Sequence, residues 1–411
     1  MKDIRKYVYH IWLCEKLNYN QNKIHRLLDD YEYVKDIYNL KRESLDNIKY
    51  LTKDDSKNLC DKSLEKEYDI IAKCEMNNIS LIAYDDENYP QKLLSIAYFP
   101  IVLYYKGNLF DFDSNLCITV VGTRDCTPYG ENNACTFSYR LAKSGAIIVT
   151  GIAQGIDVKA LEGAVKAKGK YVSILANGID IYYPAAHRKI QDYIAKHGLL
   201  ISENPPGEKA TPSSFPVRNR ILSGISDGTL IIESPKGGGA MITASLALEE
   251  GRDVFAIPGN IDNIKSQGCN SIIKSGGKLV TSTMDILEDY IYMYGENLNI
   301  EYENAGDTVV PVEKKNNDDY IVEIIDYSKK KTTVENKNQK TPEELAKTQK
   351  FINSLTDVQK IIYDVISDNP MHVDKIINLT GESAAKVMAS LTILEIYGLI
   401  KMMPGKYYVR K

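Results

Sequence analysis

From residue 115 to 290 the chain repeats one pattern. A short apolar run, rich in β-branched residues, ends in a glycine-bearing turn, and an amphipathic stretch follows. The runs read CITVVG, AIIVTG, YVSILANG, LLISE, TLIIES, DVFAIPG and KLVTS. Near-continuous apolar strands predict a sheet covered on both faces, because a strand with one wet face alternates apolar and polar residues. The stretches between them, including 129–144, 156–167, 185–196, 218–225 and 241–250, carry helical spacing. Strand and helix in alternation predict βαβ units, hence an α/β, Rossmann-like domain with a mainly parallel sheet.

The flanks behave differently. Residues 84–110 form an extended lead-in broken by Pro90 and Pro100, with a strand, IVLYYKG, ending at Gly107. The Rossmann-like domain is therefore placed at 84–290. Residues 1–83 read as short helices, with Tyr7, Ile11, Leu13 and Leu17 on one stripe and Ile24, Leu27, Leu28 and Tyr31 on another. They suggest a helical accessory domain of the SAM or helix-hairpin-helix kind, without chemistry of its own. Residues 291–350 are polar and read as a linker with one short ordered piece at 320–326. Residues 351–411 offer three helical stripes and a terminal hairpin turning at Pro404-Gly405, a winged-helix plan. Seven basic residues against six acidic ones there favour a protein-contact or regulatory role over DNA binding.

Composition narrows the class. The 411 residues carry 51 Lys plus Arg against 55 Asp plus Glu, which argues against a wholly basic nucleic-acid coat but leaves room for a local basic pocket. The seven cysteines are odd in number and never take a CxxC spacing, which suits reduced thiols in a cytosol. The five histidines form no i, i+4 pair, so no metal is expected. No apolar run reaches bilayer length and no export signal is legible, so a cytoplasmic protein without membrane contact is expected.

The candidate chemistry sits in the loops leaving the strands, since ligands of open parallel sheets bind beyond the strands' carboxyl ends. Gly122, Thr123 and Arg124 leave the first strand, and Gly151 leaves the second. FPVRNR supplies Phe215, Arg218, Asn219 and Arg220. Lys236, Gly237, Gly238 and Gly239 precede a helix. Glycines let backbone amides approach an anion, a helix N-terminus adds partial positive charge, and arginine forks match phosphate. Phe215 could stack under a base. Taken singly, each glycine also suits a strand end, each arginine a surface, and Phe215 a core. Asp157, Asp180, Glu203 and Glu233 could act as catalytic carboxylates, but such residues more often cap helices or orient arginines. GxGxxG, GKS/T and HExxH motifs are absent, so no cofactor is expected.

This loop set closely resembles the DprA/Smf family of DNA-processing proteins. The resemblance runs through VVGTR, TGIAQGID, LANGIDIYYP, SENPPG, FPVRNRILSGISDGTLIIES, GAMITASLALEEGRDVFAIPGNI and QGCNSIIKSGGKLVTS. It implies sequence-independent binding of single-stranded DNA, dimerisation, loading of the RecA recombinase during natural transformation, and no catalysis. It also implies DNA contacts at Gly122, Arg124, Phe215, Arg218, Asn219 and Arg220, with Lys236 and the Gly237–Gly239 turn as neighbours. Three positions depart from the family pattern: Leu161 where a His is common, Gly238 where a Ser is common, and Asp125 where a basic residue is common. The alternative is a nucleotide-binding or nucleotide-hydrolysing enzyme of the Lonely Guy type. There the PGGxGTxxE turn corresponds to Pro235–Thr243, and Thr243 takes the place of the catalytic Glu.

Overall fold

The computed structural model describes residues 4–299, 355–367, 371–396, 399–403 and 407–410. The chain forms two compact units, residues 1–332 and 333–411.

In the first unit the described residues form one nine-stranded sheet. Its strands are β1 (Ser80–Ala83), β2 (Val102–Gly107), β3 (Cys117–Val121), β4 (Ile147–Thr150), β5 (Tyr171–Leu175), β6 (Leu199–Ser202), β7 (Gly228–Ile231), β8 (Asp253–Ala256) and β9 (Lys278–Leu279). They lie in the order β1-β2-β6-β5-β4-β3-β7-β8-β9. The seven strands from β6 to β9 run parallel, while β1 and β2 add an antiparallel edge. All seven expected runs from 115 to 290 become strands, and so does VLYYKG. The sheet takes its first strand from Ser80–Ala83, upstream of the expected boundary at residue 84.

The two-residue period of a strand explains how both faces are filled. Ile118 and Val120 of β3 enter one core, and Cys117 and Val121 enter the other. Ile148 opposes Ile147 and Val149 in β4, and Phe255 opposes Val254 and Ala256 in β8, in the same alternation. Helices Pro128–Lys143 and Ile156–Lys166 cover the first face, and Gly163 lets them touch because a side chain there would strike the Cys135 carbonyl. Helices Ser214–Gly224 and Gly239–Glu249 cover the second face with Ile221, Leu222, Ala240, Ala244 and Ala247.

The N-terminal helices are not set apart from this body. Ile11, Trp12, Leu17 and Leu27 belong to the same continuous core as Ile118 and Leu175. Residues 291–299, expected to open the linker, pack into the first unit instead. Helix Ile291–Tyr294 docks, with the Tyr294 hydroxyl donating to Asp227 at 2.8 Å and the Asn297 amide donating to the Ser114 carbonyl at 2.7 Å. The ordered piece expected at 320–326 and the Pro404-Gly405 turn lie outside the described residues.

The second unit has its own core of Ile362, Ile366, Ile376, Val387, Leu391, Leu394 and Tyr408. Helices Asp357–Val365, Val373–Thr380 and Ala384–Ile396 pack with a sheet of β10 (Met371–His372), β11 (Ile400–Met403) and β12 (Tyr407–Arg410) in the order β10-β12-β11. This is the expected winged-helix plan with a short third strand added. No helix among the described residues is long and apolar enough to cross a membrane.

Asp227 ties three parts of the first unit together. It accepts from Lys92 Nζ at 2.7 Å, from the Cys117 amide at 2.8 Å and from Tyr294. The Lys92–Asp227 pair is largely buried, so removing one partner strands the other charge. Asp227→Ala is expected to cost about 3–5 kcal/mol, read by urea denaturation of the full chain.

Candidate nucleic-acid interface

The strand order reverses at β3. Successive strands β3 to β6 step to one side, and β7 to β9 lie on the other. The loops leaving β3, β4 and β7 therefore diverge around a crevice at the strands' carboxyl ends, the usual ligand position in open α/β sheets. Hydroxyls on the central strands tie the elements that carry this rim. Thr150 donates to the Val120 carbonyl at 2.7 Å, Ser173 to the Gly151 carbonyl at 3.0 Å, and Thr119 to the Leu222 carbonyl at 2.7 Å. Gly155, at φ +86°, lets the loop after β4 press against the one after β3, since a side-chain carbon there would stand 2.5 Å from the Thr123 carbonyl oxygen.

Two adjoining cavities open at this rim. The first, about 420 Å³, is walled by Gly122, Thr123, Arg124, Asp157, Arg218, Asn219, Gly238 and Gly239. It offers the start of the eleven-residue helix Gly239–Glu249 and two arginines, a composition that suits an anion. The second, about 240 Å³, is mostly apolar, with Ile152, Ile174, Leu175, Tyr183 and Pro184 beside the amides of Gln154 and Asn177. Arg124, Phe215 and Arg218 line both. A third hollow of about 360 Å³ continues outward past Pro212, Pro216 and Ile242.

An aromatic platform stands where the cavities meet. The Arg124 guanidinium lies over the Phe215 ring, 5.2 Å from its centroid, and the Tyr183 ring is 5.6 Å away on a tilted plane. Arg124 and Tyr183 are exposed and Phe215 is half-buried, so the stack faces solvent. Beneath it lies Arg218, 8% exposed. Its Nη1 donates to the Ile174 carbonyl, and its Nε is buried without a partner. Asp157 faces it across Gly151, where an added carbon would stand 2.5 Å from Asp157 Oδ2 and 2.7 Å from Arg218 Nη1. Burial lowers the Arg218 pKa and raises that of Asp157 to about 6, with the opposite charge of each resisting the shift in the other.

Helical geometry sorts the FPVRNR segment. Phe215, Arg218, Asn219 and Leu222, at i, i+3, i+4 and i+7, share one face of helix Ser214–Gly224 and line the first cavity. Arg220 is two residues from Arg218, about 200° round the axis, and leaves on the opposite side. It is sealed in a buried pair with Glu203 at 2.6 Å, and Gln21 also donates to Glu203. The expectation that Arg220 lines the groove is thus corrected. Gly151 is corrected too: it is buried beneath Asp157 and Arg218 and does not line the rim. Of the glycine turn, Gly238 and Gly239 reach the cavity, whereas Lys236 and Gly237 are exposed outside its lining.

The other acidic candidates are structural. Glu233 accepts from the Thr127 amide at 2.8 Å and hydroxyl at 2.6 Å, holding the start of helix Pro128–Lys143. Asp180 accepts from the Gly207 amide at 2.8 Å. Asp125 pairs with Lys265 at 2.7 Å. Thr243 is buried and is among the residues lining the first cavity. The sequence reading missed Tyr183, Pro212 and Ile242. Tyr183 carried a usable signal, as an aromatic in the turn after β5 directly before a proline.

A family profile described as DNA recombination-mediator protein A matches residues 80–291, and one described as the DprA winged helix domain matches residues 346–406. The chain belongs to the DprA/Smf family. The first match lies in the first unit and the second in the second unit. DNA processing protein DprA of Streptococcus pneumoniae is 40% identical over 205 residues, 50% of this chain and 72% of that protein. Protein Smf of Synechocystis is 31% identical over 340 residues, 82% of this chain and 81% of that protein. The X-ray structure of the S. pneumoniae DprA superposes with a TM-score of 0.60 at 33% identity, covering 69% of this chain and 97% of that one.

Arg220→Ala leaves Glu203 charged and buried. A loss of about 3–5 kcal/mol of stability is expected, read by urea denaturation.

Proposed function

We propose that this DprA/Smf protein binds single-stranded DNA without reading its sequence and loads a RecA-type recombinase onto it, as a cytoplasmic homodimer serving DNA uptake and recombination. The observation that carries the DNA reading is the pair of joined cavities sharing Arg124, Phe215 and Arg218. A phosphate suits the glycine-lined cavity and Arg218, while a base suits the apolar one or the Arg124–Phe215–Tyr183 platform. A stacking surface takes any base because every base has a π-face, and backbone contacts carry no sequence information. Cavities of this size admit nucleotides from an unpaired strand, whose bases are free to leave the stack. The recombinase step and the dimer rest on membership of a recombination-mediator family.

Hydrolysis of a nucleotide finds less support. Thr243, in the place of the Lonely Guy glutamate, carries no carboxylate. Asp157 does line the cavity, but it is held by the Ala153 amide and faces Arg218.

Fluorescence anisotropy with labelled oligonucleotides of mixed sequence tests the reading. Comparable affinity across sequences and weaker binding with salt are expected; a folded protein that binds no single strand at low salt would remove it. Phe215→Ala is expected to weaken binding by about 1–3 kcal/mol for every sequence alike. Arg124→Ala is expected to lower the salt slope by about one unit. Recombinase assembly on the same strand should speed up when the protein is added, and unchanged assembly would remove the loading step.

A further inference from the structure

Asp157 occupies an unusual place for an acid, in the wall of a cavity suited to anions. It lies in the first turn of helix Ile156–Lys166 and is 6% exposed. Its Oδ2 accepts from the Ala153 amide at 3.2 Å. The charged groups facing it are Arg218, from helix Ser214–Gly224, and Arg124, from the loop after β3. The glycine turn after β7 brings Pro235, Gly238 and Gly239 to this cavity and no charged side chain. His187, bonded through Nδ1 to the Ile152 carbonyl at 2.8 Å, is buried and held below its ordinary pKa.

We propose that Asp157 is a positioning residue that couples DNA binding to proton uptake: when a DNA phosphate docks on Arg218, the Asp157 carboxylate takes one proton from solvent and becomes the neutral acid. This rests on the phosphate reading of the first cavity given above. Without DNA, Asp157 is the internal counter-charge of Arg218 and faces its guanidinium across Gly151. The partnerless Nε of Arg218 leaves that guanidinium with a donor to spare. A phosphate bound there puts a second anion beside one buried cation, where low dielectric makes the repulsion strong. The phosphodiester cannot relieve this by protonation near neutral pH, so the carboxyl does. Burial has already brought that carboxyl to about 6, within reach of the shift.

The sign follows from linkage. The complex binds more protons than the free protein, so affinity rises as pH falls toward about 6. Below that value Asp157 is neutral in both states and the dependence flattens. One proton limits the slope to about tenfold per pH unit.

The test uses the full chain and an oligothymidine of fixed length at constant ionic strength, between about pH 8 and pH 5. Wild type should tighten as pH falls to about 6 and then level off. Asp157→Asn, a neutral near-isostere, should bind tightly with no slope across the range. A variant that keeps the wild-type slope would overturn the proposal. Calorimetry of wild type in two buffers of unlike ionisation heat counts the protons directly, and so stands even if the variant fails to fold. Net uptake per site above the midpoint supports the coupling, and zero uptake overturns it. Absence of oligothymidine binding at every pH would instead defeat the DNA reading on which the coupling rests.

Discussion

A parallel sheet buried on both faces constrains everything else in this molecule. Ile118 and Val120 enter one core while Cys117 and Val121 enter the other, so β3 has no face left for chemistry. Polar groups that do work must then stand beyond the strand ends, and the reversal of strand order at β3 decides which ends gather. The glycine loops, the arginine helix and the start of helix Gly239–Glu249 meet there because the covered sheet leaves few other places for a polar site.

The same constraint explains the division of labour among the arginines. Arg124 sits on a loop and stays exposed, with its flat guanidinium on Phe215. Arg218 reaches the rim from beneath and loses most of its hydration, which Asp157 and the Ile174 carbonyl offset in part. Arg220, on the far side of the same helix, is a structural cation paired with Glu203 and linked through it to Gln21 of the N-terminal helices. One segment thus supplies a groove wall and an internal tie, separated by the helical period alone. The shared core of the N-terminal helices and the sheet gives that tie a rigid setting.

Membership of the DprA/Smf family and the geometry of the rim support the same reading by separate routes. The family matches rest on sequence across the domain, and the cavities rest on the folded positions of a few side chains. The Asp125–Lys265 pair shows how the departure at Asp125 is accommodated, with the acid turned to a neighbouring lysine.

The sequence by itself determined the layered α/β architecture, the strands between residues 115 and 290 and the winged-helix plan, because periodicity and β-branched runs are local signals that survive folding unchanged; β1 and β10 came only with the structure. It also pointed to the loops that line the candidate cavities, since open parallel sheets usually place ligands at their carboxyl ends. Only the tertiary structure decided that Arg220 and Gly151 are withdrawn, that Tyr183 joins Phe215, that Asp157 faces Arg218, and that residues 291–299 pack within the first unit. Those outcomes depend on which side of a helix a residue leaves and on partners far away in the chain, such as Glu203 and Gln21. The helical period alone puts Arg218 and Arg220 on opposite sides of their helix, but which side meets the cavity is decided by burial and charge pairing, properties of the packed neighbourhood rather than of the segment.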